Sequence, residues 1–167
     1  MPNEGGDEPQ SGFLEVSIYV PAVLLTVGDT CAEAVGLVPV TTGTYEVDLD
    51  GFANDMDLAD GADPPCTDGF RTPGNDAFLE VVLEDDEYLD VRYDASISTL
   101  GTTNGSVYLL ETCGDVDACI VGSDSGNPET LQYQNTSGGQ ETLYLVLDSW
   151  SSWGGPDAGI LVVEIYE

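Results

Sequence analysis

The chain has 167 residues, of which 32 are Asp or Glu, two are Arg and none is His or Lys, for a formal net charge of −30. Nucleic-acid backbones and anionic lipid surfaces are held by Lys and Arg, so neither is a partner of a chain whose only cations are Arg71 and Arg92. Without His there is no Ser-His-Asp triad and no His-ligated zinc, and without Lys there is no Schiff base and no P-loop.

The length is that of one domain, and a chain of this size buries roughly 70% of its unfolded surface. Hydrophobic residues are 41% of the total and can supply a core. Self-repulsion opposes compaction, so the fold calls for salt, bound cations or covalent staples. No stretch reaches the roughly 18 apolar residues of a membrane helix.

Residues 1–12 are acidic and rich in Gly and Pro, the composition of a flexible tail. They contain no leader-like apolar segment, so a secreted form implies a leader already removed, and a tail of this kind could follow a lipid tether. Over residues 13–20, Leu14, Val16, Ile18 and Val20 alternate with Phe13, Glu15, Ser17 and Tyr19. That alternation predicts a strand with one buried face, continued over 23–27 after Pro21. Residues 29–35 predict one helical turn capped by Asp29 or Thr30.

A strand is expected over 44–49. Residues 50–75 then hold six Asp, four Gly and three Pro, a loop whose length is unusual in a compact domain unless it is functional. Strands follow over 76–83, 88–93, 106–112, 118–122, 129–134, 141–147 and 159–166, with Gly, Asn, Asp, Ser and Pro between them. Many short strands punctuated by turns predict an all-β sandwich or barrel.

The four cysteines, Cys31, Cys66, Cys113 and Cys119, form no C-x-x-C pair, which argues against zinc or a redox motif. Cys113 and Cys119 bracket a short loop that a local disulfide would close, leaving Cys31 with Cys66. This is one of three connectivities. Two disulfides imply an oxidising compartment; the alternative is four reduced, buried cysteines.

From about residue 29 to 167 the order of landmarks resembles the bacterial pre-peptidase C-terminal domain in its cysteine-bearing form. Cys31-x-x-Ala34 is followed by Gly-Phe-Ala-Asn-Asp-x-Asp over 51–57, then Cys66, then Pro-Gly-Asn-Asp-Ala-Phe over 73–78. Val-Tyr-Leu-Leu over 107–110 precedes Cys113 and Cys119, and Gly122-Ser-Asp124, Glu129-x-Leu-x-Tyr133 and Tyr-Leu-Val-Leu-Asp over 144–148 complete the set. The resemblance implies a jelly-roll-like antiparallel β-sandwich with at most one short helix, spanning 13–167. Residues 13–27 would be an added N-terminal strand and 28–167 the family-like core. It also implies a non-catalytic accessory module, of which some members bind calcium or a polymer.

The densest oxygen cluster is Asn54, Asp55, Asp57 and Asp60. Calcium takes six to eight oxygens, and alternating Asp in a Gly-bearing loop can supply several. The spacing is not that of an EF-hand. The resemblance adds Asn75 and Asp76 to the expected calcium ligands; a solvated acidic loop is the plainer alternative. Asp115 and Asp117, with Asp124, form a weaker candidate. In the family pattern Glu129 and Asp148 look structural, accepting from backbone N–H groups at sandwich corners.

Asp124-Ser125-Gly126 matches the aspartic-protease triplet, which needs two carboxylates sharing a proton, and also makes a good turn. Trp150 and Trp153 could stack on a sugar or anchor a partner, or simply cover the core. Asn104-Gly-Ser and Asn135-Thr-Ser match the glycosylation triplet. Arg71 and Arg92 each predict pairing with a carboxylate, Arg92 sharing a strand face with Asp90 and Asp94.

The sequence thus predicts a non-catalytic secreted or cell-surface module that binds calcium and an extracellular polymer or another surface protein. A structural subunit that self-assembles through residues 13–27 by strand addition is the alternative. A third reading is salt adaptation, in which the acidity only keeps the chain soluble.

Overall fold

A computed structural model describes residues 22–49, 51–58, 66–67, 69–95, 104–149 and 158–167. The elements in chain order are β1 (Val23–Leu24), α1 (Cys31–Ala34), β2 (Gly43–Asp48), β3 (Ala77–Leu83), β4 (Tyr88–Asp94) and β5 (Gly105–Leu110). After them come a 3₁₀ turn (Val116–Ala118), β6 (Cys119–Ser123), β7 (Glu129–Gln134), β8 (Glu141–Ser149) and β9 (Ala158–Tyr166). Each predicted strand from 44 onward is present, with ends that differ by a residue or two. The predicted strand at 13–20 lies outside the described residues, as do Asp60, Trp150 and Trp153.

One sheet has the order β1-β2-β9-β4-β7 and the other β3-β8-β5-β6. Pairing runs β2 to β9, β3 to β8, β4 to β7 and β5 to β6, all antiparallel. This is a long hairpin wrapped on itself, the jelly roll. Of the predicted added strand, residues 23 and 24 form β1, which pairs parallel to β2 through Val23↔Tyr45 and Leu24↔Glu46. Downstream, Gly28 and Val40 bridge to Phe78 and Val81 of β3. Residues 22–42 therefore shield the neighbouring edges of both sheets, which would otherwise offer unpaired N–H and C=O groups.

Between the sheets lies a core of alternate residues, including Val47, Val91, Leu161 and Val163 from one and Leu79, Val81, Leu109 and Leu145 from the other. A second core lies on the outer face of the β3-β8-β5-β6 sheet. There Phe78, Tyr108, Leu110 and Val146 pack against Ala34, Met56 and Leu58. All six residues of β5 are buried as a result.

Two disulfides fasten this cover. Cys31 pairs with Cys113 and Cys66 with Cys119, closing sequence spans of 82 and 53 residues. The expected local Cys113–Cys119 bridge is corrected. Cys119 begins β6 and reaches the segment carrying Cys66, whereas Cys113 lies beside the first turn of α1. Residue spacing could not show this, because Cys31, Cys66 and Cys113 lie outside the strands and meet their partners only in the folded chain. The approach at Cys66 is close: a Cβ on Gly122 would sit 2.5 Å from the Cys66 carbonyl oxygen. Two disulfides suit an extracellular protein, and among the described residues no helix is long and apolar enough to cross a membrane.

Candidate functional site

Residues 51–58 cross the second core, and over 55–58 their side chains alternate between solvent and core. Met56 and Leu58 point inward, 5% and 2% exposed, while Asn54, Asp55 and Asp57 face solvent. Polar contacts pin the segment from below. Asp29 Oδ1 accepts from the Ala53 N–H at 2.7 Å. The Ala53 carbonyl accepts from the Asp76 N–H at 3.2 Å. The Leu58 N–H donates to Thr72 Oγ1 at 3.3 Å.

The central group is Asp76, fully buried just before β3. Its Oδ2 accepts from the N–H groups of Asp55 at 3.1 Å and Met56 at 2.8 Å. Its Oδ1 is buried and has no hydrogen-bond partner. Burial pushes the Asp76 carboxyl up to about 7; the two N–H donors work against this, and the charges of Asp55 and Asp29 add to it. No cationic side chain offsets these charges: among the described residues the one ion pair is Arg92–Asp94, on the other sheet.

A second buried carboxylate lies nearby. The Tyr108 hydroxyl donates to Asp148 Oδ2 at 2.8 Å. Burial, then the charge and hydrogen bond of Asp148, push the Tyr108 hydroxyl well up, with a further push from the charge of Asp76. Asp148 thus accepts from a side-chain hydroxyl, where the resemblance implies backbone N–H donors.

The predicted residues separate as follows. Asp55 and Asp76 meet through the Asp55 backbone. Asn54 Nδ2 reaches Asp57 Oδ1 at 3.4 Å, long for a hydrogen bond. Asn75 is half-buried beside them in sequence. Among the described residues no three acidic or Cys side chains converge as a metal cage. One feature suits a hard cation: the buried Asp76 Oδ1 is a carboxylate oxygen without a donor. The further oxygens calcium needs would come from the Asn54 side chain, backbone carbonyls and water.

The other candidates take structural roles. Asp115 Oδ1 accepts from the Asp117 N–H at 3.0 Å and caps the 3₁₀ turn; both are exposed, whereas Asp124 is buried. Glu129 accepts from the N–H groups of Ser125 at 3.2 Å and Gly126 at 2.8 Å and from the Ser123 hydroxyl, as expected for a corner residue. The Asp-Ser-Gly triplet is thus the turn that Glu129 clasps. Asn135 is fully buried and donates to the carbonyls of Leu83, Glu84 and Gly139 at 3.1, 3.0 and 2.7 Å.

Thr30, not Asp29, caps α1, in a capping box with Glu33. Asp29 is freed to hold Ala53. Its place beside Asp76, like that of Thr72, carried no local signal. No family model matches the chain, and no curated protein matches it.

Proposed function

We propose that the chain is a non-catalytic module of a secreted or cell-surface bacterial protein. It resembles the pre-peptidase C-terminal domain, holds calcium over its second core and binds an extracellular polymer or another surface protein. One observation carries the calcium reading: among the described residues Asp76 is buried without a counter-cation, with one oxygen that no donor reaches and with Asp55 and Asp29 raising its proton affinity. A cation beside Oδ1 replaces the missing donor and offsets all three charges. Asp76, Asp55, Asp57 and Asn54 would hold it, with Asn75 and Asp60 as the remaining candidates from sequence. The bound ion would supply charge neutralisation and order to the loop, not chemistry. Extracellular modules hold calcium at roughly 0.1–1 mM.

The test is thermal unfolding at constant ionic strength in EDTA, then Ca²⁺, then Mg²⁺. Calcium at 100 times its dissociation constant should add about 2.7 kcal/mol, and Asp76→Asn should remove that gain. Equal gains from Ca²⁺, Mg²⁺ and matched NaCl would mean charge screening and would end the calcium claim.

The second reading, a subunit of an extracellular assembly, draws on the edge at β1. Val23, Leu24 and Val38 are 63%, 66% and 89% exposed there. Residues 23 and 24 already pair within the chain, so an intermolecular strand would have to come from residues 1–21. Removing 1–21 should leave a stable monomer if that segment is a connector; loss of folding would return it to the core.

A further inference from the structure

The outer face of the β1-β2-β9-β4-β7 sheet carries a groove unrelated to the acidic loop. One cavity of about 610 Å³ is lined by Asp90, Arg92, Thr130, Gln132, Val162 and Glu164, with Val121 and Gly122 of β6 also in its wall. A second of about 230 Å³ is lined by Tyr88, Gln134 and Tyr166 and shares Asp90 and Gln132 with the first. The shared residues place the two side by side across β9, β4 and β7. From Tyr88 to Arg92 the groove follows β4 for ~13 Å and spans three strands, ~10 Å.

Its chemistry is mixed in a particular way. At one end Tyr88 and Tyr166, directly paired across β4 and β9, stack with ring centroids 5.4 Å apart and planes 11° apart. They stay 38% and 43% exposed, although burying aromatic rings is strongly favourable. The Tyr166 hydroxyl donates to Asp90 Oδ2 at 3.1 Å, and Arg92 donates to Asp94 Oδ2 at 3.0 Å. These bonds hold the charged rim in place before any ligand arrives. Gln132 and Thr130 add side chains that both donate and accept.

We propose that this groove binds a neutral polysaccharide. A sugar ring has an apolar C–H face and a rim of hydroxyls that each donate and accept. The tyrosine pair matches the first, and Gln132, Asp90, Arg92 and Glu164 match the second. Charge selects within that class. A chain of net charge −30, with Asp90 and Glu164 in the groove, repels uronic, sulfated and phosphorylated polymers, so the ligand is uncharged. The proposal deepens the reading of the chain as a polymer-binding module and rests on it, but it does not depend on calcium.

The acidity makes the test direct, because the protein migrates fast in native gels. Wild-type protein is run through gels containing soluble β-glucan, α-glucan, mannan, galactomannan or xylan, and through gels containing polylysine. At least one neutral polymer should retard it, equally in EDTA and in Ca²⁺. Tyr88→Ala and Tyr166→Ala should each weaken that retardation about five- to tenfold. Gln132→Ala, an exposed change that leaves both rings in place, should weaken it severalfold. All three variants should melt close to wild type.

Migration unaffected by every neutral polymer, or retardation by polylysine alone, overturns the proposal. Retardation that survives all three variants overturns the groove while leaving the binding-module reading intact. The calcium melting series fails or succeeds separately from these gels.

Discussion

The two sheets of this sandwich treat their outer faces in opposite ways. The outer face of β3-β8-β5-β6 is roofed by α1, residues 51–58 and two disulfides, and its strand β5 is buried on both sides. The outer face of β9-β4-β7 carries Tyr88, Asp90, Arg92 and Gln132 on a strictly alternating pattern. One face uses apolar burial and covalent bonds to hold a loop; the other keeps polar and aromatic side chains at the surface. Sheets buried on both faces read as continuous apolar runs and half-exposed sheets as alternation, and here both occur in one domain.

Experiments that strip the roof should therefore cost far more than those that alter the open face. Replacing Cys66 and Cys119 together by Ala should cost about 4 kcal/mol, given the 53-residue span they close, measured by denaturant unfolding. Leu58→Ala, deep under the loop at 2% exposure, should cost about 3 kcal/mol. A loss below about 1 kcal/mol would mean that the loop is only laid on the sheet.

The pH dependence sharpens the contrast further. Asp76 has its carboxyl raised to about 7 in the fold from an ordinary value of 3.8, so between those values the native state holds a proton that the unfolded chain has released. In EDTA, stability should fall as pH rises from about 4 to 7, by at most about 1.4 kcal/mol per pH unit from this group, and level off above that. Asp76→Asn should flatten that slope. Calcium and the proton compete for the same carboxylate, so the calcium gain should be larger at pH 8 than at pH 5.5.

The smallest effect belongs to the open face. Tyr166→Ala should change stability by about 0.5 kcal/mol or less, seen as an almost unmoved denaturant midpoint. A loss as large as that of Leu58→Ala would show the tyrosine pair to be a third core.

How much of this could be read from residues alone follows from what each feature depends on. Alternation in Tyr88-Leu-Asp-Val-Arg-Tyr and the apolar run Val107-Tyr-Leu-Leu are local, and the strands they predict are where the structure has them. The capping box of Thr30 and Glu33 is likewise local. The disulfide partners are not. Cys113 lies six residues from Cys119 in sequence, yet each bonds a cysteine from another element.

Asp76 was marked as a ligand by its motif. Its grip on the backbone of Asp55 and Met56 arises only when residues 21 and 20 apart are brought together by the fold. Tyr88 begins β4 and Tyr166 ends β9, and only the β4–β9 register joins them.

The Cys31–Cys113 bond also sets how the molecule behaves as a mechanical link. Tension applied between residues 22 and 167 passes from residue 31 directly to residue 113 and bypasses the 82-residue span between them. At about 3.4 Å per residue, roughly 280 Å of contour is withheld from extension while the bond is intact. An oxidised copy pulled to full length is therefore the shorter tether, and a reduced one is roughly 280 Å longer.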